Sequence, residues 1–157
     1  MTPRRRVRPA PPAGYPSEGP GTRPKDGWGY PARGRLYRAR FERLVDRALR
    51  QLPGRWSEKL DNVAIVVADR PTAYQRAAAG VGPDDELYGL YEGIPQPQRP
   101  ATYGMVLPDR ITIFQRSIEA DCRSEAEIVA EVRHTIVHEL AHHFGIDDAR
   151  LEELGFD

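Results

Sequence analysis

Cysteine is nearly absent from this chain. Cys122 stands alone, so no intrachain disulfide framework can form and nothing points to an oxidising compartment. Long hydrophobic runs are missing as well, and no stretch is apolar enough for long enough to make a membrane helix. Aliphatic residues are scarce in residues 1–33, which instead hold eight of the 15 prolines. Such a segment cannot bury enough surface to offset the entropy of ordering. The expectation is a disordered Pro/Arg-rich arm over 1–33 and one folded domain over 34–157. Net charge is lacking too, with 23 basic against 23 acidic residues, but the balance hides an asymmetry. Residues 1–40 hold ten Arg or Lys against Glu18 and Asp26, which leaves 13 basic and 21 acidic groups for the rest. A basic arm is therefore joined to an acidic body. Arg4, Arg5 and Arg6 are followed by V-R-P-A-P-P-A-G and not by a hydrophobic region, so a twin-arginine export signal is unsupported and a cytoplasmic protein is expected. The arm's arginines could gather nucleic acid, but blocks of charge are more often simply solvated, and that reading is preferred.

What the chain does have is concentrated in one place. All four histidines lie in the stretch H-T-I-V-H-E-L-A-H-H-F-G-I-D-D, from His134 to Asp148. It contains H-E-x-x-H as His138, Glu139 and His142, and on a helix the two histidines share a face one turn apart. Two neutral imidazoles on one rigid helix suit a zinc ion, leaving room for a third protein ligand and a water. Glu139 can then reach that water as general base without being a ligand.

Helix formation is signalled independently of the motif. Ser124-Glu125-Ala126-Glu127 reads as a capping box, and Ile128, Val132, Ile136, Leu140 and Phe144 recur at helical spacing with Val129 and Val137 beside them. The helix is expected from about Ser124 to Gly145, where glycine accepts the left-handed turn that ends it. Beyond the turn, a metzincin pattern would place a third histidine where this chain has Asp148, giving H-E-x-x-H-x-x-G-x-x-D. A carboxylate is also an ordinary zinc ligand. With few residues following, the candidates after His142 are His143, Asp147, Asp148, Glu152, Glu153 and Asp157. Asp148 is the choice and Asp147 the runner-up, the latter being better placed to cap a short final helix over 149–154.

The run E-V-R-H-T-I-V-H-E-L-A-H-H-F-G-I-D-D, with L-Y-G-L-Y-E-G-I-P from Leu87 to Pro95 and L-P-D-R-I-T-I-F from Leu107 to Phe114, resembles the small bacterial mini-zincins, a family of zinc metallopeptidase type. The resemblance spans roughly residues 38–157. It implies an α+β fold with a minimal zincin-like core: a small mixed β-sheet of about three to four strands packed on an active-site helix and an N-terminal helix. It also implies one Zn²⁺ per chain on His138, His142 and Asp148, with Glu139 as catalytic base. About substrate it implies less.

Elsewhere the pattern fills in a scaffold. Tyr37, Phe41, Leu44, Val45, Ala48 and Leu52 follow helical spacing until Pro53-Gly54. Val63–Ala68 is a β-branched run that reads as a central strand covered on both faces. Asp69-Arg70-Pro71 ends it, and residues 72–86 read as a loop with one helical turn. Leu87–Gly93 alternates as a half-exposed edge strand, with Gly89 admitting a close backbone neighbour, and such an edge could take up an extended peptide. Residues 94–108, with Pro95, Pro97, Pro100 and Pro108, form a long irregular loop suited to a rim or lid. Arg110–Gln115 is a third strand, followed by a short turn of helix over 117–121.

The chemistry expected is hydrolysis of a peptide or unfolded protein substrate, with an oxyanion donor among Tyr88, Tyr91, Tyr103 and His134. His134 is read as a cleft-wall or exposed residue, His143 as structural because it points about 100° from His142, and Cys122 as a bystander thiol. Two other functions fit the same residues: a non-catalytic zinc domain that binds a partner through its edge strand, and, more distantly, a zinc-dependent nuclease fed by the basic arm.

Overall fold

The structure, a computed structural model, describes residues 5–7, 32–93 and 109–156. The first helix, α1 (Ala32–Arg50), is amphipathic because its apolar residues recur every three to four positions. Phe41, Leu44, Val45 and Ala48 are buried, while Leu36 and Tyr37, at its start, stay exposed. Pro53 and Gly54 end that pattern and begin α2 (Gly54–Ser57), which drives Trp56 into the core before a single 3-10 turn at Glu58–Leu60.

Three strands form the main sheet: β2 (Val63–Ala68), β4 (Gly89–Glu92) and β5 (Asp109–Phe114). Their order is β2-β5-β4, with β2 parallel to β5 and β4 antiparallel to it, in the register Ile65↔Ile111 and Tyr91↔Ile111. The central strand is therefore β5, and the Val63–Ala68 run, expected in the centre, is an edge. Its β-branched sequence misleads because Ala64 and Val66 face solvent although they are apolar, whereas all of β5 but Arg110 is buried. Hydrophobicity reports what a strand could bury, and neighbours decide what it does bury.

The Leu87–Gly93 strand is broken in two and covered, not half-exposed. β3 (Asp85–Leu87) ends before Tyr88, whose ring is fully buried and whose hydroxyl donates to the Asp121 carboxylate. Tyr88 and Tyr91 enter the main core, while Leu87 and Leu90 join Ala79 and Phe114 in a second cluster on the opposite face. Ala68 and Val81 pack against that second cluster, and its Ala79 directly follows the short helix α3 (Ala73–Ala78). A reciprocal cap starts α3: the Gln75 amide donates to the Thr72 hydroxyl at 3.1 Å and the Thr72 amide to the Gln75 side chain at 3.0 Å. Near the N-terminus, β1 (Arg5–Val7) pairs antiparallel with β3. The remainder of residues 1–31 and the proline-rich stretch 94–108, with Tyr103, lie outside the described residues.

After α4 (Gln115–Asp121) comes the long helix α5 (Glu125–His143). Ser124 caps it by accepting from the Glu127 amide at 3.1 Å, and the Glu127 carboxylate accepts from the amide of Arg123, one residue earlier than a reciprocal box would have it. Val132, Ile136 and Leu140 are fully buried and meet Phe41 and Val45 of α1 and Ile111 and Ile113 of β5. Each such side chain contributes about 1.5–3 kcal/mol of burial. The helix ends where Gly145 takes φ of 76°. The Gly145 amide reaches the His142 carbonyl at 3.0 Å and the Ile146 amide the Ala141 carbonyl at 2.8 Å, the paired bonds of a Schellman turn. A last helix, α6 (Asp148–Glu153), follows at once. Among the described residues no helix is long and apolar enough to cross a membrane.

At Gly89, β4 comes close to α5. A Cβ there would lie 2.5 Å from Thr135 Cγ2 and 3.3 Å from the Thr112 carbonyl oxygen. Gly89→Ala should therefore cost about 1–3 kcal/mol in urea unfolding, the usual scale of overpacking. Thr135→Ser in the same chain, which removes the colliding methyl, should recover most of the loss.

Candidate metal centre

Helix α5 presents different residues on its different sides. One stripe faces the core, and Glu139 and His143, one turn apart, face β4. His138 and His142, also one turn apart, face the start of α6. The Schellman turn sends the chain back, and Asp147 caps α6 by accepting the Arg150 amide at 2.9 Å. Asp147 is thus used as a cap, as its position suggests. Asp148, the first residue of α6, turns its carboxylate to the histidines instead. Its Oδ1 lies 2.7 Å from His142 Nε2 and 3.2 Å from His138 Nε2.

The three donor atoms all fall within 4.8 Å of one another. Bonds of about 2.0–2.1 Å at tetrahedral angles would place ligand atoms about 3.3 Å apart, so this donor set matches zinc in both type and spacing. His138 and His142 side chains are 15% and 8% exposed against 63% for Asp148, so the histidines are recessed and the carboxylate forms an open rim. The buried Nδ1 of His142 has no hydrogen-bond partner among the described residues, which leaves the polar contact of that ring at Nε2, on Asp148.

Glu139, between the histidines in sequence, is completely buried on the adjoining face. Its Oε2 accepts the main-chain N–H of Tyr91 at 2.9 Å. Beside it a cavity of about 310 Å³ is lined by Tyr74, Ala78 and Ala79 of the α3 region and by Leu90–Gly93. That volume is near the lower end for ligand pockets. Its α3 wall is a feature for which the sequence offers no signal beyond the Thr72–Gln75 cap.

Of the residues suggested as oxyanion donors, Tyr88 is withdrawn into the core with its hydroxyl on Asp121. Tyr91 is buried with its hydroxyl 3.2 Å from His143 Nε2. His134 is half-buried, its ring centroid 6.1 Å from that of His138, and it is not one of the three converging donors. Cys122 is half-buried against the main core and is not one of the converging donors. His143 is buried and stacked on Tyr91, and Asp109, opening the central strand, lies 3.8 Å from it. The sequence pattern marks neither as part of the site's surroundings. The available signal was the i, i+4 spacing of His143 from Glu139.

Glu92 lies at the cavity's edge in a network of Arg110, Thr112 and Gln75. Burial pushes its carboxyl up, but the hydrogen bonds and charge of Arg110, with Thr112 and Gln75, outweigh this and hold it below its ordinary value of 4.5. The same pairing raises the Arg110 guanidinium.

An α+β core with an HExxH helix against a mixed sheet, and an acidic residue returned to the histidines by a glycine turn, defines the minimal zincin class. The family model for zincin-like metallopeptidases matches residues 60–156, and the chain belongs to that family. A solved structure of a conserved hypothetical protein from the bacterium T. thermophilus is similar at 24% sequence identity and a TM-score of 0.45, over 75% of this chain and 96% of that one. No curated protein matches the sequence.

Because Glu92 has a lowered carboxyl in the folded state, its pairing stabilises the protein above the unfolded value of 4.5, and that contribution is lost as pH falls through the lower, folded value. Glu92→Gln should lower stability at pH 7 by up to about 1 kcal/mol, since Arg110 is half exposed. It should also make the acid-induced loss of stability shallower below about pH 4.5 in denaturant titrations at stepped pH.

Proposed function

We propose that this protein is a zinc-dependent peptide hydrolase, with one zinc held by His138, His142 and Asp148 and with Glu139 as general base. The observation that carries the reading is the meeting of three zinc-type donors from two helices, with Glu139 on the same helix as the histidines. Bound there, zinc would bring the pKa of a water down toward ~7 and polarise the scissile carbonyl. Glu139 takes the proton from the attacking water and delivers it to the leaving amine. The cavity beside Glu139 has the size of a side chain or two, which supports short, flexible or unfolded segments as substrates.

One observation supports a second reading, a zinc domain without catalysis. Glu139 is fully buried and tied to the backbone of β4, a position that also suits a purely structural carboxylate.

Cleavage of a broad peptide library by the zinc-loaded wild type and by Glu139→Ala, with metal content measured on both, separates the two. The peptidase reading expects cleavage by the wild type and a loss of about 10²–10⁴-fold in Glu139→Ala at equal zinc occupancy. Zinc on both and cleavage by neither favours the second reading, and zinc on neither removes both. In competition with a chelator, Asp148→Ala should lose more zinc affinity than the about 10–100-fold typical of removing an outer partner. Asp147→Ala should cost about 1 kcal/mol of stability through its cap and keep the metal.

A further inference from the structure

The proposed chemistry leaves one buried polar cluster unused. His143 is 0% exposed, Asp109 3% and Tyr91 4%, and they meet where α5, β5 and β4 come together. His143 Nε2 lies 3.2 Å from the Tyr91 hydroxyl and 3.8 Å from Asp109 Oδ2, and the imidazole stacks on the Tyr91 ring at 4.2 Å between centroids. Room for the Asp109 carboxylate depends on Gly93, where a Cβ would come within 2.2 Å of Oδ1.

Burying an imidazole and a carboxylate is costly, and an apolar residue of similar volume would fill the same space at less expense. What the polar cluster adds is a fixed geometry for Tyr91. That residue is gripped twice by one stripe of α5, at its ring by His143 and at its main-chain N–H by Glu139. Displacing the ring displaces the amide, and with it the carboxylate that the amide holds.

We propose that His143 and Asp109 are positioning residues, which lock Tyr91 and through its N–H set the direction of the Glu139 carboxylate. They do not touch substrate. A general base must be held within about half an ångström of its working position, and a 1 Å misplacement can cost about 10²-fold in rate. The kinetic arm of the test rests on the peptidase reading, whereas the structural arm does not.

The test uses the full-length, zinc-loaded, ¹⁵N-labelled protein as wild type, Tyr91→Phe, His143→Gln and His143→Leu, with zinc content measured on each. Hydrogen exchange of the Tyr91 amide is compared with that of the Val132 amide, which reports global opening, and Glu139→Ala supplies the rate for a Tyr91 amide without its acceptor. Tyr91→Phe and His143→Leu are expected to speed Tyr91 exchange about tenfold relative to Val132, the scale of one hydrogen bond. For the best library peptide, kcat should fall about 10–100-fold with KM within about twofold. His143→Gln, which keeps a polar group near Nε2, should recover most of both. A Tyr91 amide unchanged in Tyr91→Phe and His143→Leu overturns the inference, as does an acceleration shared equally by Val132. Should His143→Leu fail to fold, Tyr91→Phe, which removes a single oxygen, decides. If the wild type cleaves nothing, the peptidase reading fails, and amide exchange still decides whether the cluster positions Glu139.

Discussion

The buried hydrogen bond from the Tyr91 amide to the Glu139 carboxylate is the joint between sheet and helix in this protein. An edge strand carries main-chain donors that need acceptors, and a buried carboxylate needs donors. Each supplies what the other requires. With that bond made, the rotation of α5 about its axis is set. Val132, Ile136 and Leu140 then face the core, His143 meets the Tyr91 ring, and His138 and His142 emerge beside the start of α6. Rotating the helix by one residue, about 100°, would take Glu139 away from the Tyr91 amide and the two histidines away from Asp148.

The second half of the site depends on a corner. Gly145 allows the chain to reverse within two residues, Asp147 stops the rotation of α6 by capping it, and Asp148 is left facing His138 and His142. Neighbouring aspartates thus differ in role because one has its carboxylate committed to a backbone amide and the other does not. The result is a recessed histidine pair with a solvent-facing acid, the arrangement expected of a site that keeps one side accessible. Membership of the zincin-like metallopeptidase family agrees with this arrangement.

Local signals carried much of this. The capping serine of α5, its helical period, its glycine stop and the Asp147 cap all involve residues within a few positions of each other, so the sequence alone displays them. The amphipathic α1 was legible for the same reason. The strands were placed less well. Val63–Ala68 looks more like a central strand than Asp109–Phe114 does, since the latter opens with two charged residues. Arg110 is accommodated by Glu92 across the strand pair, and Asp109 by the neighbourhood of His143, and neither partner is near in sequence.

Helix periodicity and glycine's left-handed conformation act over about ten residues or fewer, so the zinc-type donors, their spacing and the turn that returns Asp148 are written in the chain itself. Folding, by contrast, was needed to make β5 central, to wall a cavity beside Glu139 with α3, and to gather His143, Asp109 and Tyr91 into one buried cluster. Those outcomes depend on contacts between residues dozens of positions apart. Burial and hydrogen-bond partners there are set by which surfaces meet, and no local pattern encodes that meeting.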